Sequence, residues 1–435
     1  MKETLETRTM RRAWARIVPF IILLYFVSFL NRVNVGFAAL TMNTDIGLSA
    51  STFGFGAGIF FAGYIISGIP STLILERVGS RRWIAFCMIV WGLASAATAY
   101  VSGPISFFVM RFILGVAEAG FFPGVILFIS YWFPANRRAA VMAAFMAAAP
   151  LSSIIGSPIS GGLMEMDGLL GIKGWQWLFL LEALPTVLLG VMTFFYMSER
   201  PEKARWLADD ERQWLVDTMA AEQVEKKERS KASVWSAFND LRVLAIALIY
   251  FGTSCGLYAV GFFGPLIFKQ FGFSLFNLGL VNAIPNIVAV VGMVLWARHS
   301  DRTGERIWHI TLACVAGAVG MFIAGYTQGV VVMVVALSLA SAGISAAKAP
   351  MWSLPTQFLS GSAAAAGIAL VNTIGNLGGS VGPFVIGWLK DLTGGYGAGL
   401  VFIGAALSGS SFLAIVVGRS LTPRRSATPI MTSGN

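Results

Sequence analysis

Twelve apolar runs, each about as long as a bilayer crossing, constrain this chain more than anything else in it. A hydrocarbon core of about 30 Å takes about 20 helical residues. The runs have their cores at Ile17 to Leu40, Phe53 to Leu75, Trp83 to Val101, Ile105 to Phe128, Ala139 to Met164 and Trp175 to Met197 in the first half. In the second half they lie at Val243 to Phe268, Leu278 to Trp296, Ile307 to Tyr326, Val330 to Met351, Ala363 to Leu389 and Gly399 to Val417. Charged residues make up 12% of the chain, against about 25% in soluble proteins. A water-soluble globule is excluded. In lipid every backbone polar group needs an internal partner, so runs of this length must be helices. The expected class is an all-α integral membrane protein with twelve transmembrane helices.

The formal net charge of +10 does not point to nucleic acid, because the basic residues sit in short runs flanking apolar segments. Cys87, Cys255 and Cys314 fall inside apolar stretches without metal or redox spacing, so no metal or cofactor is expected. The first run follows Arg8, Arg11, Arg12 and Arg16 but is too long for a signal peptide, and is expected to stay as a span.

Between the sixth and seventh runs, from Ser198 to Lys231, 17 of 34 residues are charged with both signs mixed, which reads as a solvated linker carrying a surface helix. The chain then divides into residues 1–197 as an N-terminal six-helix bundle, 198–240 as a cytoplasmic linker and 241–435 as a C-terminal six-helix bundle. Of the 31 Lys and Arg residues, 25 fall on the side of the N-terminus, 3 on the other side (Lys173, Lys269, Lys390) and 3 within spans. The positive-inside rule puts both termini and the linker in the cytoplasm.

The two halves repeat at a fixed offset of 225 residues. Glu76, Arg77, Gly79 and Arg81 fall on Asp301, Arg302, Gly304 and Arg306; Val35, Gly36 and Phe37 fall on Val260, Gly261 and Phe262. Phe133, Pro158 and Gly162 fall on Phe358, Pro383 and Gly387. Two pseudo-symmetric bundles with a site near the midplane between them is a plan used by secondary transporters.

The loop Leu75-Glu76-Arg77-Val78-Gly79-Ser80-Arg81-Arg82, echoed by Ser300-Asp301-Arg302-Thr303-Gly304-Glu305-Arg306, resembles the signature loop of the major facilitator superfamily. The likeness runs through essentially the whole chain, and it implies the major facilitator fold. Thr72 departs from that loop, which usually has glycine there. An acid beside a cation in a tight turn can pair in one bundle arrangement and release in the other, so Glu76, Arg77, Asp301 and Arg302 are expected to act as cytoplasmic latches. The plainer alternative is a basic turn that only sets topology. Residues 29–38 (FLNRVNVGFA), 111–124 (RFILGVAEAGFFPG) and 131–134 (YWFP) resemble the anion:cation symporter family. That resemblance implies proton-coupled import of organic carboxylates, with Arg32 holding the substrate carboxylate and Glu118 carrying a proton. It also implies that Trp352 and Asn372 contact a sugar acid. The family's first-span acid usually precedes the arginine, whereas Asn31 stands here, so fewer protons per substrate are expected.

The residues themselves lead the same way. Five ionisable side chains lie well within the runs: Arg32, Arg111, Glu118, Glu182 and Lys348. A charge at the bilayer centre costs about 2.5 to 3.5 kcal/mol or more, so each needs a partner, a wet cavity or a function. Three cations face two acids, a surplus that an anionic substrate would fill. Arg32 suits an anion because guanidinium binds carboxylate bidentately and stays charged. The alternative is permanent pairing with an interior carboxylate. Arg111 lies two turns from Glu118 on one face, about 10 Å away along the helix, and is expected to modulate its proton; a static Glu118–Arg111 bridge is the alternative. Lys348 either adds a second positive contact or snorkels to the cytoplasmic interface. Glu182 reads as structural.

Asn372 and Asn376 share a face of the eleventh run and, with Trp352, are expected to contact substrate. Asn282 and Asn286, which flank Pro285, read as structural. Tyr64 and Tyr258 are candidate wall residues. No Walker motif, histidine relay or catalytic dyad appears, which argues against an ATP-driven pump and against an enzyme. The expected protein is a monomeric importer of a small organic acid anion with protons, embedded in lipid of a bacterial-type cytoplasmic membrane. Export of drugs or organic anions on the same fold is the alternative, and a membrane-embedded enzyme or receptor the third.

Overall fold

The computed structural model describes residues 4–229, 240–359 and 361–421. Among them are 12 helices long and apolar enough to cross a membrane. Spans 1 to 6 are Leu5–Asp45, Ala50–Val78, Ser80–Tyr100, Pro104–Trp132, Ala135–Met164 and Gly174–Tyr196. Spans 7 to 12 are Leu241–Lys269, Leu275–Thr303, Ile307–Tyr326, Val330–Trp352, Ala366–Thr393 and Gly397–Ser420. Several outrun their apolar cores. Span 1 begins twelve residues before Ile17, and the extension is held by packing and charge: Met10 and Ala13 are buried, while Arg8 and Arg12 donate to Glu211 at 2.8 and 2.7 Å.

Glu211 belongs to the linker helix Asp209–Arg229, the expected surface helix, and its carboxylate is fully buried beneath the first bundle. Arg138 pairs with Glu222 at 2.7 Å, and Trp206 stacks on Trp132 with centroids 5.2 Å apart. Charged residues that read as solvated therefore fix the linker to the N-terminal bundle.

The repeat is visible in backbone geometry. Ser49 and Ser274, 225 residues apart, cap spans 2 and 8 by accepting from the amides of Thr52 and Asn277. Gly79 and Gly304, also 225 apart, both take positive φ (91° and 66°), which an L side chain resists, so each signature loop turns on a glycine at the same place.

The bundles meet where glycines let backbones touch. Span 2 packs on span 11 and span 5 on span 8. A Cβ on Gly54 would stand 2.3 Å from the Pro383 carbonyl oxygen; one on Gly279 would stand 2.4 Å from that of Ser157. These approaches lie in the halves of the spans away from the termini. Asp391, at the end of span 11, accepts from the amides of Ala50 (3.1 Å) and Ser51 (2.8 Å) at the start of span 2. Glu165, at the end of span 5, accepts from the amide of Phe276 (3.0 Å) at the start of span 8. Each bundle thus caps a helix N-terminus of the other with a carboxylate, a favourable placement against the helix dipole. The hydrogen bonds between the bundles, among the described residues, all lie at the level of Arg32 or outward of it. The side away from the termini, the expected outer side, is closed.

Candidate functional site

Arg32 sits where the two bundles meet. Its Nη2 pairs with Glu118 Oε1 of span 4, and its Nη1 donates to the Tyr258 hydroxyl of span 7 at 3.2 Å. The Arg32 side chain is 11% exposed and that of Glu118 2%. Ser28, one helical turn before Arg32, donates to the same Glu118 oxygen at 2.9 Å. The guanidinium carbon lies 5.2 Å from the Phe60 ring centroid and 5.6 Å from that of Tyr64, so aromatic faces line the cation where no second carboxylate does. Its Nε has no hydrogen-bond partner among the described residues. A planar five-donor group thus gives one donor to a carboxylate of its own bundle and one to a hydroxyl of the other.

This geometry decides between the two partners open to Glu118. The carboxylate pairs with Arg32, not Arg111. Arg111 is 1% exposed, between the rings of Phe60 (5.2 Å) and Phe262 (5.9 Å), and its Nη2 reaches the Ala57 carbonyl at 3.5 Å. Among the described residues it makes no ion pair.

Asn31 does not look into this site. Its amide donates to the Val27 carbonyl (2.8 Å), the Glu182 carbonyl (3.2 Å) and the Thr186 hydroxyl (2.9 Å), inside the first bundle. An aspartate there would face those two carbonyls as an acceptor among acceptors. Glu182 is 2% exposed and accepts from Ser160 (2.7 Å) and Asn34 (3.0 Å), which ties spans 1, 5 and 6 together in the structural manner expected of it.

The C-terminal candidates form a second group. Trp352 meets Tyr250 edge-on at 5.0 Å, and a Cβ on Gly375 would collide with the Tyr250 ring at 1.9 Å, so span 7 wedges between spans 10 and 11. Asn376 donates to Asn372 Oδ1 at 3.2 Å. Tyr250 and Tyr258 are eight residues apart on span 7, about 12 Å along its axis, and connect this group to the Arg32 group. Lys348 makes no ion pair among the described residues.

The four expected latch residues lie at the ends of spans 2 and 8 on the side of the N-terminus, all exposed. Asp301 pairs with Arg306 at 2.6 Å within its own loop. Across the bundles none of the four forms an ion pair among the described residues. The Ser80 and Arg81 amides beside the first loop donate to Glu199 at 2.7 and 2.8 Å, again within one bundle.

Sequence reasoning missed three features here. Ser28 was recoverable from its spacing of four before Arg32, the helical same-face interval. Tyr258 read only as a wall residue, because one aromatic in a membrane helix usually means packing. A cleft between the bundles, lined by Tyr258, Ser157 of span 5, Asn282 and Asn286 of span 8 and Ser341 of span 10, had no sequence signal beyond the two asparagines, which had read as structural.

Comparison with known proteins adds the following. A family model described as the Major Facilitator Superfamily matches residues 21–383. A protein of Agrobacterium vitis named "Putative tartrate transporter" is 58% identical over 420 residues, 97% of this chain and 97% of that one. The "Putative metabolite transport protein NicT" of Pseudomonas putida is 43% identical, covering 94% of each chain. A "Quinolone resistance transporter" of Acinetobacter baumannii is 38% identical over 97% of this chain and 98% of its own. Among solved structures, a bacterial homolog of the human lysosomal transporter Spinster, in an inward-facing and occupied conformation, superposes with a TM-score of 0.77 at 15% identity, covering 93% of this chain and 97% of that one.

Proposed function

Because the chain belongs to the major facilitator superfamily, and is therefore a multi-pass membrane transporter and not an enzyme, we propose that it imports a small organic carboxylate together with protons by alternating access. Tartrate is the first candidate, from the name of the Agrobacterium vitis relative. The observation that carries the reading is Arg32, held between Glu118 of one bundle and Tyr258 of the other in a lipid-shielded interface.

A carboxylate arriving at this point competes with Glu118 for the same guanidinium. Two anions cannot both be neutralised by one cation in a low-dielectric site, so the displaced Glu118 takes a proton. Loading is then electrically neutral at the site, and the bundles rock about it. Release of substrate toward the cytoplasm returns Arg32 to Glu118, whose proton leaves on the same side. In the outward-facing arrangement Glu76, Arg77, Asp301 and Arg302 would latch the cytoplasmic ends, and Arg111 would bias Glu118 toward ionisation from within span 4. Tyr64 would flank the bound carboxylate. Trp352, Asn372, Asn376 and Lys348 would meet the rest of the substrate from the C-terminal bundle. The chain would work as a monomer, with both termini cytoplasmic in a bacterial-type inner membrane.

The Glu118→Gln variant in proteoliposomes tests the coupling. Under an imposed gradient of about one pH unit, accumulation of tartrate is expected to fall about tenfold, the ratio that one coupled proton can sustain at about 1.4 kcal/mol, while exchange of internal for external substrate stays measurable. Accumulation that still follows an imposed proton gradient in this variant rejects Glu118 as the proton carrier. The relative named for quinolone resistance favours a second reading, export of drugs by the same architecture. An inward proton gradient that drives quinolone out, and leaves tartrate uptake unchanged, selects that reading.

A further inference from the structure

The cleft bordered by Tyr258 lies between spans 1 and 5 of one bundle and spans 7, 8 and 10 of the other. Its wall contains Ser153, Ser157, Asn282, Asn286, Ser341 and Ser345, all neutral hydrogen-bonding side chains. In a membrane helix a serine hydroxyl usually satisfies itself on the carbonyl one turn back. Ser338 of span 10 does so, donating to Val334 at 2.6 Å. Ser341 and Ser345 of the same helix do not; among the described residues their hydroxyls make no hydrogen bond, and neither does that of Ser153. Asn282 spends its amide on the Ser157 hydroxyl at 3.1 Å and Asn286 on the Asn282 carbonyl at 3.1 Å, which leaves the amide oxygens of both to accept. Ser153, Asn286 and Ser345 are half-buried and line the cleft, so this unused capacity faces the cleft and is open to whatever enters it.

We infer that this cleft is a hydroxyl-recognising subsite, and that the carboxylate held at Arg32 belongs to a hydroxylated acid, not to an aromatic or unsubstituted one. The inference rests on the carboxylate reading of Arg32. Tyr258 connects the two places, since its hydroxyl accepts from Arg32 and its side chain lines the cleft. An acid docked at Arg32 then extends its hydroxyl-bearing carbons past Tyr258, where serine hydroxyls and asparagine oxygens donate and accept. Lys348 follows Ser345 by three residues on span 10, so it stands on the same face about 4.5 Å further along the axis. A second carboxylate at the far end of a short hydroxylated chain would meet it there. The wall thus selects for the pattern carboxylate, hydroxyls, carboxylate. A site built to bond hydroxyls rejects analogues lacking them, because its own groups then stay unpaired.

The probes are tartrate and succinate, the same four-carbon diacid with and without hydroxyls. In proteoliposomes the wild type is expected to prefer tartrate at least about tenfold in kcat/KM. In the double variant Ser341→Ala/Ser345→Ala that ratio is expected to fall to about twofold or less, while Ser338→Ala, whose hydroxyl bonds its own helix, keeps the wild-type ratio. If the double variant does not transport, thermal stabilisation of the purified protein by the two acids gives the same comparison. A ratio unchanged in the double variant overturns the subsite. A wild type that moves succinate and benzoate as well as tartrate overturns the subsite and leaves the carboxylate reading standing. A wild type that neither moves nor binds any carboxylate overturns both.

Discussion

Arg32→Ala is expected to abolish tartrate uptake, with a loss of at least about a hundredfold in kcat/KM. Truncating one partner of a buried, hydrogen-bonded charge pair costs about 2 to 5 kcal/mol, and about 1.4 kcal/mol is a factor of ten. Two losses add here. The substrate carboxylate loses its cation, and Glu118, 2% exposed, loses the partner that makes its charge tolerable in the membrane. Arg32→Lys should recover little, because an ammonium lacks the planar fork that can bond a carboxylate bidentately while keeping the Tyr258 hydroxyl. Uptake and ligand-induced thermal stabilisation, measured together on purified protein, check this. A variant that keeps both would remove Arg32 from the binding site.

The second large effect concerns the outer closure. A Cβ on Gly387 would lie 2.0 Å from the Ala50 carbonyl oxygen, and the obstacle is backbone, which cannot swing aside as a side chain can. Gly387→Val therefore prevents spans 2 and 11 from meeting in the closed arrangement, while leaving the C-terminal bundle free to form. Overpacking of this kind costs about 1 to 3 kcal/mol, which shifts the ratio of closed to open outer side by about five- to a hundredfold. Uptake should fall by at least about fivefold, since the cycle must pass through the closed state. A cysteine placed at Val33, just outward of Arg32, should become labelled from the outside by an impermeant thiol reagent. The capping carboxylates give a milder version: Asp391→Asn with Glu165→Gln removes charge from two helix N-termini and should raise the same labelling about threefold or more. Unchanged labelling in both variants would show that these contacts do not hold the outer side shut.

How much of this was legible in the sequence follows from what lipid forbids. Twelve spans, two bundles and the presence of Arg32 and Glu118 inside the spans could be read because hydrocarbon makes long apolar runs unambiguous and intramembrane charges few. The 225-residue repeat survives in turn glycines and serine caps, where backbone conformation leaves little choice. What could not be read was direction. Asn31 and Arg32 are neighbours in sequence, yet one side chain enters the first bundle and the other the interface between bundles, because successive helical residues point about 100° apart. Asp391 and Glu165 were invisible for a different reason. An acid at the end of a span reads as solvated, and nothing local tells which helix of the other bundle its carboxylate caps. The polar cleft escaped for a third, since its serines and asparagines come from spans 5, 8 and 10, and only packing brings them together.

The claim on which all of this rests is that substrate takes Arg32 away from Glu118 and that Glu118 then binds a proton. Proton uptake on ligand binding tests it most directly: tartrate is added to purified, weakly buffered protein with a pH indicator, and bound protons are counted against bound acid. The account predicts about one proton taken up per tartrate bound by the wild type, and none by Glu118→Gln, which still binds. Proton uptake of equal size in both proteins, or tartrate binding by the wild type with no proton taken up, would contradict it.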